Sequence, residues 1–148
     1  MTSYSQSKLT GFWVSNMAEI GFFVTKLQLY PDSTFKYEFS GDLAYDKATG
    51  VYRLERNILY FQYDSVKIDK TDFVEILQNR NNKNRPKQLL YRNNKFWFFN
   101  SNGKVVKYGK GQSRHKKYLL FGDNYLKKRR QFLEKRDGEL VFRGAKVN

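Results

Sequence analysis

The chain contains no cysteine, so disulfides, thiol nucleophiles and thiolate metal sites are excluded, and a reducing or an oxidising compartment suits it equally. Histidine occurs once, at His115 in the run Arg114-His115-Lys116-Lys117. One histidine without cysteine cannot build the usual Cys/His zinc site, and no nearby residue marks out a catalytic triad around it. No run of about 20 apolar residues is present, so no transmembrane segment is expected. Residues 1–10 are polar and lack an apolar core, so no signal peptide is expected. A periplasmic or cell-envelope location would require an export signal removed earlier; otherwise the chain would be cytoplasmic. Asp64, Asp69 and Asp72 lack the spacing of a calcium loop, and Glu38 and Glu55 could form a paired-carboxylate site only if both faced one cleft. Gly109-Lys110-Gly111 has neither the length nor the Lys-Ser/Thr ending of a phosphate loop and reads as a turn. These absences leave no catalytic residue, metal site or cofactor to assign. They favour a binding protein over an enzyme, with a hydrolase of unrecognised site as the remaining enzymatic alternative.

What the chain has in quantity is aromatic side chains and positive charge. Thirteen Phe, eleven Tyr and two Trp make up 18% of its 148 residues, a composition that suits pleated surfaces and is far from that of disorder. The length suits one domain with a core of useful size, and no Pro/Gly/Ser-rich linker divides it. Residues 1–10 read as a polar lead and 11–148 as the domain.

Strand signals recur along the domain. Gly21 to Tyr30 sets Phe23, Leu27 and Leu29 against Lys26 and Gln28, and Thr34 to Ser40 alternates Phe35, Tyr37 and Phe39 with Lys36 and Glu38. Pro31-Asp32-Ser33 supplies the turn between them, through the fixed φ of proline and a side-chain acceptor for the turn backbone. Asp46 to Gly50 reads as turn-like, followed by strands Val51 to Leu54 and Ile58 to Tyr63 around Glu55-Arg56-Asn57. Further strands are expected at Lys70 to Leu77, Lys87 to Arg92, Lys95 to Phe99, Lys104 to Tyr108, Lys116 to Phe121 and Glu139 to Arg143. Asn93-Asn94, Ser101-Asn102-Gly103 and Asp137-Gly138 are the turns. Tyr125 to Glu134 fits a helix or a strand. Eight to ten short strands without recurring helical periods predict an all-β fold, an antiparallel up-and-down barrel.

The opening Gly11-x-Trp13, then Leu27-x-Leu29-x-Pro31-Asp32-Ser33-x-Phe35, Gly50-x-Tyr52 and Leu59-x-Phe61, resembles the bacterial lipocalin-like proteins of the calycin group across roughly residues 11–108. That resemblance implies a barrel whose first-strand tryptophan, here Trp13, plugs the closed end, with Arg143 matching the arginine of the last strand. It also implies noncatalytic binding of a small apolar or amphipathic ligand, or an envelope-associated role. An eight-stranded barrel is wide enough either to be filled by side chains or to hold one small ligand. Phe35, Tyr37, Phe39, Tyr52, Tyr60, Tyr91 and Trp97 are the candidate wall, and the same residues would serve equally as a dry core. Arg53, if it pointed inward, could receive a ligand carboxylate.

The net charge of +14 is unevenly placed. Residues 1–78 hold 8 Lys/Arg against 10 Asp/Glu, and residues 79–148 hold 20 against 4. Three basic groups result: Arg80, Lys83, Arg85 and Lys87; Lys110, Arg114, Lys116 and Lys117; and Lys127, Lys128, Arg129 and Arg130. Converging on one face, they would bind a polyanion such as single-stranded nucleic acid, anionic lipid or an acidic protein, with Tyr91, Tyr108, Tyr118 and Tyr125 available to stack on bases.

Overall fold

A computed structural model describes residues 8–18, 23–41, 44–65, 85–112 and 126–142. They form eleven strands: β1 (Gly11–Ser15), β2 (Val24–Leu29), β3 (Thr34–Gly41), β4 (Ala44–Glu55), β5 (Ile58–Tyr63), β6 (Gln88–Arg92), β7 (Lys95–Phe99), β8 (Val105–Val106), β9 (Tyr108–Gln112), β10 (Leu126–Arg130) and β11 (Leu133–Arg136). Strands β1 to β7 pair in sequence order, all antiparallel, and β11 closes the circuit by pairing with both β1 and β7. The result is an eight-stranded, up-and-down antiparallel barrel, as the strand pattern predicts. Closure removes the open edges that would otherwise invite pairing with another chain. The free edge of β7 is shared, Lys95 and Phe96 facing β11 while Phe98 and Phe99 face β8. Strands β9 and β10 form a separate two-stranded arm between β8 and β11.

The predicted turns form where residue chemistry allows. Asp32 accepts hydrogen bonds from the Thr34 backbone NH and hydroxyl, stapling the β2–β3 turn. Arg56-Asn57 and Asn93-Asn94 take paired positive φ angles (52°, 66° and 55°, 60°), the primed two-residue geometry that follows strand twist. Asn100 Oδ1 accepts from the Asn102 and Lys104 amides around the Ser101-Asn102-Gly103 turn.

Three expectations are corrected. Asp46 to Gly50 is no turn but the first half of the twelve-residue strand β4. Asp and Gly are turn formers in isolation, but Asp46 finds an ionic partner and the small Ala48 and Gly50 sit opposite the bulky Tyr37 and Phe35. A Cβ on Gly50 would overlap the Gln62 carbonyl and the Phe35 ring. Likewise Gly109-Lys110-Gly111 lies inside β9, paired residue for residue with β10. Within the expected strand Glu139 to Arg143, residues 139–142 are not in a strand; they run along the outer wall, where the Leu140 amide donates to Gln28 Oε1. The Tyr125 to Glu134 ambiguity resolves to strand on either side of Gln131-Phe132. The expected strands Lys70 to Leu77 and Lys116 to Phe121 lie outside the described residues.

The core is the barrel interior. Register places Trp13, Leu27, Tyr37 and Ala48 on one inward row and Leu29, Phe35, Gly50 and Tyr63 on another. Leu9, Trp13, Leu27, Leu29, Phe35, Tyr37, Tyr52, Leu59, Leu89, Phe96 and Leu133 form one buried cluster. Rings interlock edge to face: Trp13 on Phe96 at 4.4 Å, and Phe35 on Phe61 at 4.8 Å and on Tyr63 at 5.3 Å. Each such pair adds about 0.5–1.5 kcal/mol beyond area burial.

Candidate ligand-binding end of the barrel

The two barrel ends differ chemically. At the end where β1 begins and β11 finishes, Trp13 is fully buried and its Nε1 donates to the Leu9 carbonyl at 2.8 Å. The helical residues Lys8 and Leu9 thereby fold over the ring as a lid. The Lys135 ammonium lies 6.0 Å from the Trp13 ring and reaches the Lys8 carbonyl at 3.4 Å. Gly11, at φ +134°, makes this approach fit, because a Cβ there would sit 2.6 Å from Lys135 Cε. Trp13 is thus packed at this end beneath Leu9 and Lys135. Arg143, expected over it, lies outside the described residues; among the described residues Lys135 is the cation over the Trp13 ring. Lys135 shares inward parity with Leu133 on the last barrel strand, a signal legible in the sequence.

The opposite end gathers Phe23, Tyr37, Phe39, Asp46, Tyr63 and Arg85. Asp46 is 0% exposed and inward-facing. Arg85 donates to it through Nε at 2.7 Å and Nη2 at 2.8 Å, a bidentate pair, and its guanidinium lies 5.5 Å from the Tyr63 ring. The Asp46 hydrogen bonds hold the Arg85 pKa above its usual range. Tyr63 donates its hydroxyl to the Pro86 carbonyl, anchoring the chain that carries Arg85. Phe23 stacks on Phe39 at 5.4 Å, over Gly41, where a Cβ would overlap it.

Tyr37 is the unusual member. It is 2% exposed, and among the described residues nothing hydrogen-bonds its hydroxyl. Burial, reinforced by the Asp46 carboxylate, raises its pKa, and burial does the same for Tyr63. A buried hydroxyl without a partner costs about 1–3 kcal/mol. Buried polar atoms of native proteins nearly always find a partner in protein, water or ligand.

The predicted wall divides. Phe35, Tyr37, Phe39, Tyr52 and Tyr91 face inward. Phe35, Tyr37 and Tyr52 are buried, Phe39 and Tyr91 partly buried, and the Tyr52 hydroxyl is committed to the Tyr30 carbonyl. Three residues do not line the interior. Arg53 and Tyr60 are cross-strand partners on the outer surface, the guanidinium 4.5 Å from the Tyr60 ring and paired with Glu55. Trp97 pairs with Leu90 on the outer side of the wall. Alternation decides all three: Leu54, Phe61 and Phe96 hold the inward parity.

The basic groups divide too. Arg85 serves Asp46 and is not a free surface cation. Lys87, Lys128, Arg129 and Arg130 are exposed. Lys127 pairs with Gly111 in the arm, and its side chain lies outside the described residues, as do Arg80, Lys83, Arg114, Lys116, Lys117 and His115. Glu38 and Glu55 do not share a cleft. Glu38 sits opposite Lys47, while Glu55 ends the same strand β4 at the Arg56-Asn57 turn. Among the described residues no helix is long and apolar enough to cross a membrane. Comparison with known proteins finds no matching family model, no matching curated protein and no matching solved structure.

Proposed function

We propose that the protein is a noncatalytic binding barrel of the lipocalin-like kind, which takes a small neutral amphipathic molecule at the Tyr37–Asp46–Arg85 end. The buried Tyr37 hydroxyl, without a hydrogen-bond partner among the described residues, carries this reading. The asymmetry of the ends supports it, since Trp13, Leu9 and Lys135 pack at one end and leave the other as the polar one. So does the resemblance around Gly11-x-Trp13, now with a last-strand cation beside the tryptophan. The charge of the site selects the ligand. Asp46 and Arg85 already neutralise each other, so a carboxylate ligand would bring a third, uncompensated charge into a poorly solvated place. A carbonyl or hydroxyl head can instead accept from the Tyr37 hydroxyl, with its hydrocarbon portion against Phe23 and Phe39.

Native mass spectrometry of protein equilibrated with 2-octanone or with octanoate tests this. One ketone bound per chain, with octanoate binding at least tenfold weaker and Tyr37→Phe losing the ketone, is the expected outcome. Equal uptake of both ligands, or ketone binding unaffected in Tyr37→Phe, would overturn the assignment.

A further inference from the structure

A second site lies on the outer wall, and its chemistry is different. Trp97 is 8% exposed although it faces away from the barrel, and Phe132 packs against its ring. Its ring sits 5.3 Å from Phe132, whose other neighbour is the Lys95 ammonium at 4.9 Å. The indole Nε1 is tied to the Arg92 carbonyl at 3.2 Å, which fixes the ring plane. Beside it opens a cleft of about 140 Å³ lined by Leu90, Arg92, Asn93, Trp97, Val105, Lys107 and Arg130. The three cations are exposed, no carboxylate lines the cleft, and among the described residues none of the three is in an ion pair.

Size narrows the occupant. A cavity of about 150 Å³ accommodates a benzene ring, whereas pockets for drug-sized molecules run to roughly 300–1,000 Å³. The cleft therefore suits one flat ring. Arg130 connects it to the β9–β10 arm, where Lys128 stands opposite Lys110 and Arg130 opposite Tyr108. A two-stranded ribbon is marginal by itself, and no acidic residue occurs in β9 or β10. Tyr108, 47% exposed with the Lys128 ammonium 4.9 Å from its ring, offers a second stacking surface along the arm.

We propose that the cleft and arm form a binding site for single-stranded nucleic acid. One pyrimidine-sized base enters against Trp97, its flanking phosphates are held by Arg92, Lys107 and Arg130, and the strand continues along Lys128, Arg129 and Tyr108. Rings interleaved with unpaired cations are the combination that such strands use, stacking bases while neutralising the backbone. An acidic protein or an anionic lipid surface would be attracted by the same charge but has no use for a slot one ring wide. The site is independent of the barrel mouth, so either can fail without the other.

Fluorescence anisotropy with a labelled fifteen-residue oligothymidylate, and with an abasic strand of equal length and charge, separates stacking from plain attraction. Five phosphate contacts predict a slope of log K against log salt of about −3.5. One stacked base predicts a preference for oligothymidylate over the abasic strand of roughly 5- to 150-fold. Trp97→Leu should cut that preference at least fivefold, leaving what Tyr108 contributes, and leave abasic binding unchanged. Because Trp97 is packed, the exposed Lys107→Glu and Arg130→Glu variants provide a second arm, each weakening both strands at least tenfold while urea midpoints stay put. Equal affinity for the two strands would overturn the proposal in favour of a general polyanion surface. Binding to phosphatidylserine vesicles with none to either strand at low salt would overturn it in favour of a membrane.

Discussion

Removing Arg85 is the most informative single perturbation of the barrel. Asp46 is fully buried and receives two guanidinium hydrogen bonds, while Arg85 itself remains 18% exposed. The partners are therefore not equivalent. In Arg85→Met the carboxylate is left buried and uncompensated, a loss typically of about 3–5 kcal/mol. In Asp46→Ala the guanidinium can turn toward solvent, so the loss should be smaller, about 1–2 kcal/mol for the broken charged hydrogen bonds. The double variant Asp46→Leu with Arg85→Met removes both charges and should recover most of the Arg85→Met loss, because apolar replacement of a buried pair is often neutral. With a urea slope of about 2 kcal/mol/M, Arg85→Met should lower the unfolding midpoint by about 2 M. Equilibrium urea unfolding followed by tryptophan fluorescence reads all three. If Arg85→Met cost under about 1 kcal/mol, the pair would be behaving as a solvated surface bridge, and the picture of a dry, polar barrel end would be wrong.

Other consequences follow from the same packing. Tyr37→Phe should leave the ligand-free protein as stable or slightly more stable, since it deletes a hydroxyl without a hydrogen-bond partner among the described residues; a loss of about 1 kcal/mol or more in thermal unfolding would show that the hydroxyl is satisfied. Gly50→Ala should cost about 1–3 kcal/mol, because the new methyl group meets the Gln62 carbonyl and the Phe35 ring; an unchanged urea midpoint would refute that close approach. Burial raises the Tyr37 and Tyr63 pKa values above those of the unfolded chain, so the stability they confer is complete below about pH 10 and is lost as pH climbs beyond it. Urea midpoints measured from pH 8 to 11.5 should fall, and less steeply in Tyr63→Phe; parallel curves would contradict the burial of that phenol.

Much of the barrel was legible because β strands write themselves in alternation. Phe35, Tyr37 and Phe39 against Lys36 and Glu38 fixed the inner face of β3, and the asparagine pairs and Asp32 marked turns that the backbone then adopts. What was not legible depends on partners distant in sequence. Asp46 reads as a turn residue until Arg85, thirty-nine residues later, neutralises it within a strand. Arg53 and Tyr60 were grouped with the wall by residue type, although strand parity sets them outside with Val51 and Gln62. Trp97 shows the deeper limit. An outward position normally implies exposure, and Phe132, distant in sequence, packs on the Trp97 ring beside the cleft. Beside Trp13 the described cation is Lys135, whose stem passes Gly11, while Arg143 lies outside the described residues.

The most direct test of the barrel reading is an NMR titration of isotope-labelled protein with 2-octanone. Resonances of Tyr37, Phe39, Asp46, Tyr63 and Arg85 should move together with one saturation curve, while the Trp13 indole NH, locked to Leu9, stays in place. Shifts centred on Trp13, Leu9 and Lys135, or no saturable shift anywhere inside the barrel, would contradict it.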